Sequence, residues 1–595
     1  MDSSSETRNQ LLENPLRLIH DQFKLHISQL NFQTQTFNSQ DLKIPQLVEN
    51  ILGIQDQSEP NLELIPSLNS CENVQDIQNL NGKLVKFECM IQDMYEEEYF
   101  MSVLLPLQTH DTNSTIDSSN SQNTQNPLAG SLLYKYYSNL TSEQMNTFDT
   151  QTIDQRFAQE RGNLLGITVP NVNSWVKNQN SQEKPKSCLI KVYDDQVRGF
   201  KLNDSVTFIG ILEVQKQAGG VAQSANGDEE MKIDEGSMYA GADQGFEGLS
   251  NGIPNEANLP HLHAITFRRD LTLNTNQLLR KSDVTQQTIV QHSNDIADAR
   301  NKFIAIAKLI LNNDSVAAEY LLLNLISKVH TRKDGLVLGN VSINISNITT
   351  PQVKQLTRLI EAISPFSMYL PFTIDSLQNK ILTPRKNYDT NQLEPGLLQM
   401  LDNTFVIIDE TQLKEGQIKE QGIQNIKALA TLIEQQVVVY DFMYSQMEMP
   451  INSGVLVCSE GRSMMKNTQQ VVLKNADPSF VFDSDKFNQV LNDQETLNQL
   501  RRFLLAVNTY SEITFQEYQI PAEVSEYCQN IFIEMRKAEM ETFGAVKTNA
   551  DTFHTLLTYA RLIAASEGKL GLENAMFDKA RSLEQQRQER IAQKQ

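Results

Sequence analysis

The sequence predicts a multidomain α+β protein, and three observations carry that prediction. Its 595 residues exceed what one hydrophobic core supports, which sets an expectation of about four domains of ~150 residues each. Apolar and polar residues alternate in several stretches between 83 and 268, the period of half-buried strands. From about 290 to 500 helical and strand periods alternate, the pattern of an α/β domain with a mainly parallel sheet.

Residues 1–75 are expected to form a helical N-terminal module. Asn14-Pro15 supplies an N-cap followed by proline at the first helical position, and Leu16, Ile19 and Phe23 then share one face. Residues 76–275 are expected to form a β domain. Val85, Phe87 and Cys89 alternate with Lys86 and Glu88, and Cys188 to Tyr193, Ser205 to Leu212 and His263 to Arg268 read the same way. Two polar insertions interrupt this domain, at 109–126 and 216–257, each too poor in apolar residues to offset the entropy of ordering.

Residues 285–500 form the expected α/β domain. Asp314-Ser315 can cap a helix on which Leu321, Leu322, Leu325, Ile326 and Val329 make an apolar stripe. Short apolar runs at Val341 to Ile345, Phe405 to Ile408 and Val455 to Cys458 are candidate buried strands. Residues 501–595 return to helical spacing and end in the charged segment Phe577 to Gln595.

Composition narrows the function classes. Asp plus Glu outnumber Lys plus Arg by 73 to 51, a net charge of −22, so the surface repels phosphate backbones and favours protein partners over direct nucleic-acid binding. No apolar run of membrane-spanning length occurs, and MDSSSETRNQLLENPLRL lacks a basic region followed by an apolar core. The expectation is an intracellular protein with no membrane partner. Cys71, Cys89, Cys188, Cys458 and Cys528 are far apart, odd in number and never in a C-x-x-C pair, which speaks against a disulfide framework or thiolate zinc site and for buried, reduced thiols. The sequons at Asn113, Asn139, Asn344 and Asn347 read as accidents of composition without a secretory signal.

Several segments then agree, in order and spacing, with one family. These are KFECMIQDMYEEEYFMSV (86–103), TVPNVNSWV (168–176), CLIKVYDD (188–195) and SVAAEYLLLNLISKVHTRKDGLVLG (315–339), followed by NYDTNQLEPGLLQ (387–399), FVIIDETQLKEGQI (405–418), YSQMEMP (444–450), VLVCSEGRS (455–463) and IEMRKAE (533–539). In these segments the chain resembles the MCM-binding protein family. The resemblance implies a nuclear protein that associates with MCM helicase subunits and acts in assembly, protection or chromatin unloading of MCM complexes during DNA replication. Links to the cell cycle, cell division and sister chromatid cohesion come with it, and chromatin is reached only through MCM. By analogy with the helicase the β domain would be OB-like, the α/β domain a degenerate AAA+-like domain, and the C-terminal helices its lid.

That analogy can be followed residue by residue, and it implies a pseudo-ATPase. The helicase's phosphate loop corresponds to NVSINISNITTPQVKQL (340–356), where Ser346, Asn347, Ile348, Thr349, Thr350 and Pro351 follow the strand without a glycine or lysine among them. A phosphate cradle needs glycines so that backbone N–H groups converge, a lysine for the outer oxygens and a hydroxyl for magnesium. The acidic pair survives as Asp409 and Glu410 at the end of LEPGLLQMLDNTFVIIDE (393–410), in the positions that would hold metal and polarise water. The competing reading makes them the exit of a buried strand, bonded to the following loop. Ser459 and Glu460 stand where the helicase delivers a polar sensor, and Asp551, in TNADTFHTLLTYARL (548–562), replaces a sensor arginine. No catalytic residue, cofactor or metal is therefore expected. The alternative is an AAA-related ATPase using Asp409 and Glu410 with an unconventional loop, and a third possibility is a β-domain adaptor for unrelated partners.

Other candidates are weaker. Ser459 and Gly461 half resemble a nucleophile elbow, but Val457 fills the first glycine position. His261 and His263 could share a strand face as metal ligands, yet without a third ligand they read as surface histidines. Trp175, the only tryptophan, is expected in the β-domain core, or else as a partner anchor. The segment Lys579 to Lys594 is expected to be a solvated helix rather than a docking element.

Overall fold

The computed structural model describes residues 2–29, 37–54, 60–107, 128, 130–136, 142–149, 154–176, 186–194, 199–214, 259–269, 292–333, 335–389, 392–465, 469–475, 480–517, 520–543, 549–569 and 571–594. The expected insertions at 109–126 and 216–257, and the sequons Asn113 and Asn139, lie outside these residues. The chain is a mixed α/β protein of two compact units: Met1–Val169 with Asn180–Leu271 and Lys386–Leu393, and Pro170–Gln179 with Thr272–Arg385 and Glu394–Gln595.

The first unit opens with helices α1 (Asp2–Glu13), α2 (Pro15–Gln29) and α3 (Ile44–Leu52). The Asn14 N–H bonds the Gln10 carbonyl at the end of α1, and Pro15 starts α2 at no cost because the first helical N–H groups have no partner in any case. Leu18, Ile19, Phe23 and Val48 pack in one cluster with Leu84, Ile209, Ile211 and Ile265, so the helices cover the outside of a barrel. Each such side chain contributes about 1.5–3 kcal/mol on burial.

The barrel is closed by five strands, β1 (Leu84–Met101), β2 (Ala158–Thr168), β3 (Ser187–Tyr193), β4 (Ser205–Glu213) and β5 (His261–Arg269), in the order β1-β2-β3-β5-β4. All pairs are antiparallel except β3 with β5, where Leu189 lies beside His261 and Lys191 beside His263. Phe87, Cys89, Leu164, Ile190, Phe208 and Leu262 belong to the cluster that fills the interior. Four of these strands are legible as alternation. Strand β2 is not, because Gly162, Leu164 and Gly166 alternate with Arg161, Asn163 and Leu165, and two of the three positions in register with Leu164 carry no side chain. Gly166 has no room for one: a Cβ there would lie 2.6 Å from Ile190 Cδ1.

In the second unit, five strands form a parallel sheet: β6 (Ile343–Ser346), β7 (Ser367–Pro371), β8 (Phe405–Asp409), β9 (Val455–Ser459) and β10 (Gln469–Val472), ordered β7-β8-β9-β6-β10. Every residue of β6, β8 and β9 is buried, as expected of strands covered on both faces. Helices α4 (Ser293–Ile310), α5 (Ser315–Ile326) and α6 (Thr350–Ile363) share a cluster with Ile343, Ile407 and Leu456. Leu429, Leu432 and Ile433 of α7 (Glu420–Gln435) share another with Val406, Ile408 and Val457. Helices α8 (Gln494–Glu517), α9 (Ala522–Phe543), α10 (Ala550–Ser566) and α11 (Asn574–Lys594) belong to the same unit.

Four expectations need correction. Helix α5 ends at Ile326, so Val329 lies beyond it, and Leu325 is only partly buried; the helix is buried on most sides rather than along one stripe, Leu321, Leu322, Leu323 and Asn324 being inaccessible or nearly so. His261 and His263 are fully buried in the barrel unit, not at the surface; their strand is paired on both edges, with β3 and with β4. Trp175 belongs to the second unit and not to the β-domain core; its indole N–H donates to the Glu361 and Ser364 carbonyls at 3.0 and 3.1 Å. Helix α11 is docked rather than solvated: Phe577, Ala580 and Leu583 are buried, and Arg587 and Arg590 reach the carbonyls of Gln470 and Val472. The five cysteines are free and buried.

Candidate functional site at the carboxyl ends of the parallel strands

In a parallel sheet, ligands bind outside the carboxyl ends of the strands, where the chain order reverses. Here that place is the pair β6 and β9, since β6 leads to β7 across β9 and β8, whereas β9 leads to β10 across β6. Ser346 lies beside Ser459 in the register, so the loop after β6, the acidic pair and the segment after β9 converge.

The loop is already committed to its own surroundings. Asn347 adopts a left-handed backbone at φ 67°, and its amide donates to the Leu473 carbonyl at 3.0 Å and to Asn475 Oδ1 at 2.9 Å. The Ile348 N–H donates to the Ser459 carbonyl at 3.3 Å, and the Ile348 side chain is fully buried. At the start of α6, Thr349 N–H and hydroxyl both donate to Gln352 Oε1, a capping box that occupies donors an anion would otherwise use. With Pro351 at the first turn a further N–H is missing. These residues do not fit a triphosphate.

Asp409 and Glu410 sit at the end of β8, and each is enclosed. Asp409 is inaccessible to solvent; one oxygen accepts from the Thr411 N–H at 3.0 Å and hydroxyl at 2.7 Å, the other from the Tyr369 hydroxyl at 2.6 Å and the Gln412 amide at 3.0 Å. Its own burial, and then the Asp409 carboxylate beside it, push the Tyr369 phenol far above its ordinary range. Glu410 accepts from the Ser463 hydroxyl at 2.9 Å and the Met464 N–H at 3.2 Å. Burial raises its carboxyl above the usual value, partly offset by these bonds. The pair thus carries its own ligands: Tyr369, Thr411, Gln412 and Ser463, which the sequence did not single out because they come from other elements or from polar loop positions.

The remaining candidates do not join this centre. Ser459 is buried, its hydroxyl within bonding distance of Asn344 Oδ1 and the Gly461 carbonyl, while Glu460 is exposed. Asn344 is therefore a buried side chain, not a sequon at the surface. Asp551 is exposed on the first turn of α10. Among the described residues no group of three or more His, Cys, Asp or Glu could hold a metal ion.

The barrel unit holds a second polar centre. Glu98 pairs with Arg161 at 2.5 Å and Lys191 at 3.1 Å, and the cations hold its carboxyl below its ordinary range although burial opposes them. His263 lies between Tyr193, 2.5 Å from Nδ1, and Glu213, 3.0 Å from Nε2. Since a carboxylate can only accept, Nε2 carries the proton and Nδ1 accepts from the tyrosine. Burial lowers this imidazole to about 4. Charges and hydrogen bonds here are met internally, as buried ions require.

Fold and site together define a two-unit α/β protein, a closed barrel and a parallel sheet whose acidic strand end is enclosed. The chain matches the family described as Mini-chromosome maintenance replisome factor over residues 54–187 and 180–591, and it belongs to that family. It is similar to proteins named Mini-chromosome maintenance complex-binding protein: 33% identical over 410 residues to that of Danio rerio, 32% over 418 to that of Gallus gallus and 32% over 422 to that of Homo sapiens. The matched region covers 68–69% of this chain and 61–63% of theirs, so the chain spans about three fifths of the length of the curated relatives it matches.

Proposed function

We propose that this chain is a non-catalytic binding protein of MCM helicase subunits, acting in the nucleus in assembly, protection or chromatin unloading of MCM complexes during DNA replication. Family membership and the printed names of the relatives support the choice of partner. In this reading the barrel is of OB type, which its 1-2-3-5-4 order with one parallel closure favours. The parallel-sheet unit is a degenerate AAA+-type domain in which the order β7-β8-β9-β6-β10 keeps the framework of an ATPase while the site has closed. The protein offers an MCM subunit a surface shaped like its usual neighbour's, edge to edge, with an interface on the order of 1,200–2,000 Å². Chromatin is reached through MCM, consistent with the net charge of −22.

The observation that carries the non-catalytic part is the bond from the Ile348 N–H to the Ser459 carbonyl, which closes the place where a phosphate would enter. The test is co-precipitation of MCM subunits from nuclear extract, with circular dichroism establishing which variants are folded. Asp409→Asn with Glu410→Gln removes charge but little volume and is expected to retain MCM. Leu321→Asp places an unpaired carboxylate at an inaccessible position and is expected to abolish folding and binding together. Loss of MCM from a folded Asp409→Asn/Glu410→Gln protein overturns the proposal, because the pair would then act directly.

A further inference from the structure

The pairing of β1 with β2 slips twice, between Ile91 and Asp93 and between Tyr95 and Glu98. Between the slips Asp93 lies opposite Leu165, Met94 opposite Leu164 and Tyr95 opposite Asn163. A bulge bends its strand and re-aims the side chains beside it. Leu164 belongs to the cluster that fills the barrel, so Asn163, the residue before it, stands on the outer face with Arg161. Lys191 of β3 lies opposite Asn163, and His263 of β5 beside Lys191.

This row is polar and enclosed. Asn163 and His263 are inaccessible to solvent, and Lys191 is nearly so. Lys191 is met by Glu98, and His263 by Tyr193 and Glu213. Asn163 is the exception. Neither its Oδ1 nor its Nδ2 has a hydrogen-bond partner among the described residues, and on the facing residue the Tyr95 hydroxyl is buried and unmet as well. A buried amide carries its full desolvation cost at every end left unbonded. Polar groups at this depth are therefore bonded in nearly all native proteins, to ordered water where no protein group reaches them.

The chemistry of the amide selects the occupant. Oδ1 only accepts and Nδ2 only donates, so a bare cation would answer one end and a bare anion the other, whereas water answers both. Charge leads to the same choice. Arg161 and Lys191 stand against Glu98, and Glu213 lies beside His263, so an added ion would be a buried charge without a counter-charge. A peptide or other large ligand would need an accessible side chain, and Asn163 offers no surface.

We propose that the outer face of the barrel holds an internal water site at Asn163, opposite Tyr95, where ordered water accepts from Nδ2 and donates to Oδ1. The inference rests on the barrel alone and not on the MCM reading.

A crystal structure of the full chain that shows ordered water tests this without any substitution. Expected is a solvent peak within roughly 2.7–3.2 Å of Oδ1 or Nδ2 that gives no anomalous signal in crystals soaked in bromide. An amide with no such peak, or with both ends bonded to protein groups, overturns the proposal. So does a peak that takes up bromide, which assigns an anion instead. In solution, magnetic relaxation dispersion counts long-lived internal waters. Asn163→Leu keeps the size and offers no hydrogen bond, and it is expected to hold fewer such waters than the parent, with far-UV circular dichroism as the folding control. An equal count in a folded Asn163→Leu protein also overturns the proposal.

Discussion

The backbone N–H of Ile348 and the carbonyl of Ser459 meet at 3.3 Å, tying the loop after β6 to the end of β9. A phosphate-binding loop at this position would have to release that bond, withdraw the inaccessible Ile348 side chain and give up the capping box at Thr349. Titration of the purified chain with magnesium-ATP is therefore expected to give no saturable heat up to millimolar nucleotide. Asp409→Ala should not change that, but should lower stability by roughly 1–3 kcal/mol, because Tyr369 and Gln412 lose a buried acceptor. Saturable micromolar binding that disappears in Asp409→Ala would show that the loop opens after all.

How far the sequence could be read depended on what burial does to each element. The inner strands β6, β8 and β9 are covered on both faces and stand out as apolar runs. The outer strands do not: β7 is SMYLP with alternate burial, and β10 is QQVV, four or five residues too mixed to rise above loop. The same limit hid β2, whose glycines in register with Leu164 erase the alternation. At the candidate site the missing glycines and lysine were legible, since they are absences at fixed spacing from a strand. The enclosure of Asp409 was not, because Tyr369 and Gln412 reach it from a neighbouring strand and the following turn. The histidines misled most: two imidazoles on a polar-looking strand read as surface, and His263 is tolerated inside because Tyr193 of β3 and Glu213 of β4 take both of its ring nitrogens.

His263 gives stability a pH dependence of fixed sign. Its imidazole titrates at about 4 in the folded chain and near 6.5 when unfolded, so the unfolded state binds more protons between these values. The contribution is complete above about pH 6.5 and is lost as pH falls towards about 4. At ~1.4 kcal/mol per pKa unit this predicts a loss of about 2 kcal/mol between pH 7.5 and pH 5. Tyr193, Glu213, Arg161 and Lys191 face the ring, and the two cations add to the depression while Glu213 opposes it. In urea melts at the two pH values, His263→Gln should lose about 2 kcal/mol less than the parent. An equal pH effect in both proteins would assign the sensitivity elsewhere, with His330, also lowered to about 4 but less buried, the next group to replace.

Gly210 is expected to be irreplaceable in the barrel. It sits where the pairing of β4 with β5 slips between Ile209 and Gly210, and a Cβ there would lie 2.1 Å from the His263 carbonyl oxygen and 2.7 Å from its carbon. Both are backbone atoms, so no side chain can swing aside to relieve the clash. Gly210→Ala should cost at least ~3 kcal/mol and make β4 and β5 susceptible to limited proteolysis. Gly461→Ala, with nothing within 4 Å of the added carbon, is the control and should leave the melting profile unchanged.

The last prediction separates a docked from a solvated C-terminal helix. Asp314 is inaccessible, and its carboxylate serves three elements at once. One oxygen caps α5 through the Val316 and Ala317 N–H groups at 2.9 and 3.2 Å. The other accepts from the Lys474 N–H at 3.0 Å and from Arg590 of α11 at 2.6 Å. Removing Arg590 leaves a buried carboxylate with three backbone donors but no counter-ion, so Arg590→Met should cost about 1–3 kcal/mol, towards the lower end because the arginine is 23% exposed. Asp314→Asn keeps the size and an acceptor for the cap but turns an amide NH2 group towards Lys474 N–H and Arg590, so it loses the ion pair together with one backbone bond. The two losses are therefore expected not to add: a double-mutant cycle by chemical denaturation should give a coupling of at least ~1 kcal/mol. Coupling within about 0.3 kcal/mol of zero would mean that Arg590 and Asp314 act independently, and the solvated-helix reading of residues 579–594 would then have to be restored.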